Sequence, residues 1–192
     1  VYARTKAEGE ARVFAACPDA VVFRPSLIFG PGDSFFNRFA GLARALPVLP
    51  LAGGQSRFQP AFVGDVAEAI ARAVDGTVAP GKVYELGGPE VLTMREIMEI
   101  ILAITERRRM LVSLPFGLAK LQAMALQFAP GPLKLTPDQV ALLRSDNVVS
   151  PEAKAAGLTL EGLGIVPDSL EAIAPQYLWR FRKTGQFTQK GA

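Results

Sequence analysis

Tyr2 and Lys6 stand four residues apart in "VYARTKAEGEARV". On a helix that spacing puts both side chains on one face, with Cβ atoms about 5–6 Å apart. An ammonium beside a phenol favours the phenolate and draws the tyrosine pKa down from its reference of about 10. Such a phenol can serve as acid toward a carbonyl or base toward a hydroxyl near neutral pH. The same lysine can hydrogen-bond a ribose hydroxyl, so the pair suits hydride transfer to or from a nicotinamide. Taken alone, the pair fits an ordinary exposed helix equally well, because short motifs recur by chance.

Other chemistries are narrowed by composition. Histidine is absent, which removes imidazole bases, His-dependent triads and His metal sites. Cys17 is the one cysteine, so neither an internal disulfide nor a thiolate zinc cluster can form, and no metal site is expected. Next to Pro18, Cys17 reads as a small buried hydrophobe. Of the 192 residues, 49% are hydrophobic and 20% charged, the balance of a soluble globular domain or the larger part of one. The chain opens with Val rather than Met and is read as a segment of a longer, cytoplasmic protein. The net charge of +3 lacks aromatic-basic interleaving and nucleic-acid motifs, so no nucleic-acid partner is expected. Arg107-Arg108-Arg109 reads as a solvated stretch after a helix. Phe116 to Ala129 is apolar but shorter than the roughly 20 residues of a membrane span. It is taken as a core helix, with a membrane or partner surface as the alternative.

The elements that must position the pair follow from periodicity. Residues 1–16 predict a helix stopped by Pro18. "AVVFR" (20–24) predicts a strand buried on both faces of a parallel sheet, running into a loop at Gly30-Pro31-Gly32. Residues 34–46 predict a further helix. Asp65 with Glu68, Thr93 with Glu96, and Thr136 with Pro137 and Gln139 look like helix starts, as does Ser150-Pro151. "KVYEL" (82–86) and "MLVSL" (110–114) are strand-length runs. The stretch 169–183 is helical with a break at Pro175. Strands alternating with helices mean α/β.

A tyrosine-lysine helix, an apolar strand ending in "RPSLIFGPGD", then "FVGDVAEAI" and "YELGGPEVLTMREI", in that order over residues 1–105, resembles the short-chain dehydrogenase/reductase superfamily. The likeness is to its extended and atypical branches, which include NAD-dependent epimerases and dehydratases. It implies the C-terminal part of a Rossmann-like doubly wound parallel sheet plus a smaller, mostly helical substrate lobe. Residues 1–33 would end the core, 34–183 would form the lobe with returning core elements, and 184–192 would be a loose tail. Tyr2 and Lys6 would be catalytic and, with Pro25, Ser26, Leu27 and Ile28, would meet the nicotinamide end of NAD or NADP. The family's glycine-rich pyrophosphate turn lies upstream of the tyrosine and is not in this sequence, so the segment alone is not expected to turn over.

Two departures narrow the branch. Leu27 stands where sugar-nucleotide enzymes carry an asparagine, and Phe58 where they carry a phosphate-binding arginine, with Arg57 one residue earlier. A leucine cannot replace an amide's hydrogen bonds, and a one-residue shift on an extended segment reverses the face. "SRFQPAFVGDVA" and "PQYLWRFRKTGQF" look more like the nucleotide-binding accessory subunit branch of respiratory NADH:ubiquinone oxidoreductase. That likeness implies a dinucleotide ligand and a respiratory-complex or membrane-peripheral partner at the inner membrane. Arg57 and Gln59 are candidate substrate contacts. An active NAD(P)-dependent oxidoreductase, epimerase or dehydratase, and a cofactor-free interaction module, remain open. An isolated segment lacking neighbours for its first strand is expected to self-associate.

Overall fold

A computed structural model describes residues 2–129 and 134–184. In chain order, α1 spans Tyr2–Ala16, β1 Val22–Pro25, β2 Ile28–Phe29 and α2 Phe35–Ala45. Next come β3 Val48–Ala52, β4 Arg57–Phe58, β5 Ala61–Phe62 and α3 Val63–Val74. Then follow β6 Val83–Leu86, β7 Leu92–Thr93, α4 Met94–Ile104 and β8 Met110–Leu114. The remainder is helical: α5 Phe116–Leu126, α6 Pro137–Leu142, α7 Pro151–Ala155, α8 Leu170–Ile173 and α9 Pro175–Leu178. Helices alternating with parallel strand pairs make this an α/β fold, as the patterning predicts.

The chain divides into two compact units, each assembled from separated stretches. The first holds residues 1–28, 59–91 and 147–169. Its β1 and β6 pair in parallel, in register from Val22↔Val83 to Pro25↔Leu86. Phe23 and Tyr84, partners in that register, bring their ring centroids to 5.8 Å. They pack with Val66, Ala69, Leu86, Leu160 and Ile165. The strand is less enclosed than its composition suggests: Val22, Phe23 and Pro25 are half-buried and Arg24 is exposed.

The second unit holds residues 29–58, 92–146 and 170 onward. Its β3 and β8 also run parallel, from Val48↔Met110 to Ala52↔Leu114, with Leu49 and Leu51 buried on alternate positions of β3. Ile97, Met98 and Ile101 of α4 are fully buried, and α2 packs against α4 and α9.

Local chemistry sets most of the helix starts. Thr93 Oγ1 accepts from the Glu96 amide at 3.2 Å while the Glu96 carboxylate accepts from the Thr93 amide at 2.7 Å, the reciprocal capping box at the head of α4. Thr136 and Gln139 do the same for α6, and Ser150 caps α7. The break at Pro175 separates α8 from α9.

Four sequence expectations are corrected. Helix α3 starts at Val63, so Asp65 is its third residue and not its N-cap; its carboxylate takes a longer-range donor, the Asp168 amide, at 2.9 Å. Cys17 is exposed: it lies past the last turn of α1, whose described side chains are exposed apart from half-buried Glu10 and Phe14. Arg107 is buried: Glu106 takes φ 54°, the left-handed conformation that ends helices, and beyond it the Arg107 guanidinium donates to the Phe181 carbonyl at 2.8 Å. Helix α5 buries only Ala119 and Ala123, while Leu118, Leu121 and Met124 are exposed, as is Phe128 just after it. Its alanines allow close packing, which sends the larger apolar side chains outward. The proposed tail beyond Thr184 lies outside the described residues.

Candidate functional site

The site implied by the sequence lies around the carboxyl end of β1, in the first unit. Position 2 sits at the start of α1, although the Tyr2 side chain is outside the described residues. Lys6 is exposed one turn on. Glu10 follows another turn later on the same face and meets Arg24, the third residue of β1. Arg24 Nη2 lies 2.5 Å from Glu10 Oε2, and Nε lies 3.1 Å from both carboxylate oxygens. This fork holds the Glu10 carboxyl below its usual range, first through the Arg24 hydrogen bond and to a smaller extent through the charge of Lys6. It raises the Arg24 guanidinium in turn. The helix face that carries Lys6 is thereby tied to the strand end from which Pro25–Ile28 emerge.

Pro25, Ser26 and Leu27 are half-buried and Ile28 is exposed. The Ser26 amide donates to the Leu86 carbonyl at 2.9 Å, extending the β1–β6 ladder by one residue. The Ser26 hydroxyl donates to the Asn147 carbonyl at 2.5 Å and accepts from the Gln59 amide at 3.1 Å, while the Leu27 carbonyl accepts from Ala61. Gln59 is buried, and both ends of its side chain are engaged. Nε2 donates to the Gly88 carbonyl at 2.7 Å and Oε1 accepts from the Val149 amide at 3.0 Å. A substrate contact through Gln59 would have to break this bracing of three chain stretches.

The glycines after β6 answer to the same bracing. A Cβ at Gly88 would lie 2.0 Å from the Pro60 carbonyl oxygen, and one at Gly87 would lie 2.6 Å from Gln59 Cδ. At Gly88 the obstacle is backbone and admits only glycine, whereas at Gly87 it is the Gln59 and Val149 side chains.

Arg57 belongs to the second unit and is paired with Asp146. Its Nε and Nη2 lie 2.8 and 2.7 Å from Asp146 Oδ2, and its amide donates to Oδ1 at 2.9 Å. These contacts hold the Asp146 carboxyl below its usual range. Arg57 therefore ties β4 to a stretch 89 residues further along the chain, within its own unit. Among the described residues no group of acidic or cysteine side chains could hold a metal ion.

For a dinucleotide, the exposed Lys6 ammonium and the half-buried Pro25–Leu27 segment at a parallel strand's carboxyl end fit the nicotinamide side. Ligands of doubly wound sheets bind at such strand ends. Sequence reasoning missed the Glu10–Arg24 fork and the engagement of Gln59. The first had a signal, an acid one turn beyond Lys6 on the same face; the second depends on chain stretches up to 90 residues apart and had none.

The chain is similar to several known proteins. Over 192 residues the chain is 35% identical to the mitochondrial NADH dehydrogenase [ubiquinone] 1 alpha subcomplex subunit 9 of Arabidopsis thaliana, covering 95% of this chain and 47% of that protein. The rat protein of the same name is 31% identical over 181 residues, covering 93% and 47%. The chain thus spans about half the length of the curated relatives it matches. A UDP-glucose 4-epimerase structure from Thermotoga maritima shares the fold, with a TM-score of 0.57, 20% identity, and coverage of 85% of this chain and 46% of that one. Residues 1–140 match the RmlD substrate binding domain, and the chain belongs to that short-chain dehydrogenase/reductase-like family.

Proposed function

We infer that the protein is a nucleotide-binding accessory subunit of the complex I type, holding NAD or NADP with Tyr2, Lys6 and Pro25–Ile28 at the nicotinamide end. The observation that carries this reading is the Glu10–Arg24 fork, which fastens the Lys6-bearing face of α1 to the carboxyl end of β1. Two relatives named as NADH dehydrogenase subunits support a respiratory-complex partner. The exposed Leu118, Leu121 and Met124 on α5 support a place at a partner or membrane surface, on the cytoplasmic side of the inner membrane. No described helix is long and apolar enough to cross a membrane, consistent with a peripheral position. The nucleotide supplies hydride chemistry when bound. The chain's own part is to hold the ribose and nicotinamide end beside Lys6 and the β1 strand end.

The test is a fluorescence titration of the intact protein with NADH and NADPH. Tight binding with no oxidation when carbonyl substrates are added supports the accessory role; absence of binding sinks it. A second reading, an active NAD(P)-dependent oxidoreductase, is favoured by the Tyr2/Lys6 spacing on α1. In that case Tyr2→Phe abolishes turnover while nucleotide affinity stays close to wild type.

A further inference from the structure

In the second unit β3 and β8 form a two-stranded sheet, and among the described residues no further strand pairs with either. The register fixes which backbone groups of β8 face away from β3. The Met110 amide donates to the Pro47 carbonyl at 3.3 Å, so Met110, Val112 and Leu114 turn their amides and carbonyls toward β3. Leu111 and Ser113 turn theirs the opposite way, along an edge that can take another strand.

Natural edge strands are blunted by charge, proline or cover. On β8 that protection is confined to the ends. Arg108 and Arg109 precede the strand, Pro115 follows it, and no charged residue stands between Arg109 and Lys120. The outer face is apolar as well as open: Val48, Met110 and Val112 are 41, 65 and 42% exposed, with Val48 and Met110 partners in the register. The edge is also symmetric about Val112, with outward-facing Leu111 and Ser113 on either side.

We propose that β8 pairs antiparallel with β8 of a second copy of this chain, across a two-fold axis at Val112. In that register Leu111 of each copy exchanges amide-to-carbonyl hydrogen bonds with Ser113 of the other, and the two Val112 side chains meet as a non-hydrogen-bonded pair. Charge selects the antiparallel arrangement. Parallel pairing would set Arg108 and Arg109 against their own copies, whereas antiparallel pairing sets them beside Pro115 and Phe116. The contact is isologous and so closes at a dimer. It lies within the second unit, uses a different edge from that of β1, and is independent of the dinucleotide reading.

The test is sedimentation equilibrium of the intact protein from about 1 to 200 µM, the range of a small interface. Expected is a monomer–dimer equilibrium. Ser113→Pro removes an outward amide and none of the β3 ladder, and should weaken the dimer about tenfold or more. Ser113→Ala, which loses only the hydroxyl that accepts from Arg95 at 3.1 Å, should leave it unchanged. In a Cys17→Ser background, Val112→Cys should give a disulfide-linked dimer on mild oxidation, while Val48→Cys, on the strand away from the axis, should not. The proposal is overturned by a monomer throughout that range, by a dimer that Ser113→Pro leaves intact, or by equal cross-linking at positions 48 and 112. Slow amide exchange at Leu111 and Ser113 in a persistent monomer would identify another segment of the same chain as the occupant, which also overturns it. If Ser113→Pro fails to fold, the two cysteine variants decide.

Discussion

Glu10 and Arg24, 14 residues apart, meet in a two-pronged ion pair with Nη2 and Oε2 2.5 Å apart. The pair orients α1 on β1 and so sets where Lys6 stands relative to the strand end. Glu10→Gln is expected to lower stability by about 1 kcal/mol, a figure held down by solvent at the half-exposed Arg24. The folded Glu10 carboxyl lies below its ordinary value near 4.5. Its contribution is therefore present above pH 4.5 and fades as pH falls through the lower folded value. Urea melts of wild type and Glu10→Gln at pH 7 and pH 3 check this, the gap being smaller at pH 3.

Asp65 behaves in the opposite sense. Burial pushes its carboxyl above the ordinary 3.8, partly offset by the Asp168 amide. Folding therefore takes up a proton between the ordinary and the raised value, and stability falls as pH rises through that window. Asp65→Asn keeps an acceptor for the Asp168 amide without the buried charge. It should be at least as stable as wild type at pH 7, with the fall in stability above pH 3.8 reduced. Thermal melts from pH 3.5 to 7 read both effects.

Gln59→Leu should cost about 2–4 kcal/mol, because the Gly88 carbonyl and Val149 amide lose their buried partners together. Were Gln59 a substrate contact instead, the variant would melt like wild type. Chemical denaturation distinguishes the two.

Gly88→Ala places a methyl group 2.0 Å from the Pro60 carbonyl oxygen. Backbone must move to admit it, at a cost of about 3 kcal/mol. Amide exchange should report loosening at both Gly88 and Pro60's neighbours, whereas Gly117→Ala, with open space around its Cβ, should leave melting nearly unchanged.

Much of the local order was legible beforehand. Thr93/Glu96 and Thr136/Gln139 form their boxes, "KVYEL" and "MLVSL" become β6 and β8, and Pro175 breaks the final helix. These signals act over three or four residues, so the residues in view contain the whole cause. Where prediction failed, a distant partner had intervened. Asp65 resembles an N-cap by spacing, yet the Asp168 amide claims it from 103 residues away. Arg107 looks like a solvated end until its guanidinium donates a hydrogen bond to the Phe181 carbonyl.

For this protein, then, residue order alone determined the α/β alternation, most of the helix starts and the tyrosine-lysine helix, because backbone propensity and capping are settled within one or two turns. Tertiary structure alone decided that Gln59 braces three stretches of chain, that Glu10 ties α1 to β1, and that β8 takes β3 as its partner strand. Those outcomes depend on which surfaces meet after the chain folds back, and hydrogen bonds and strand pairings between distant segments leave no period in the sequence.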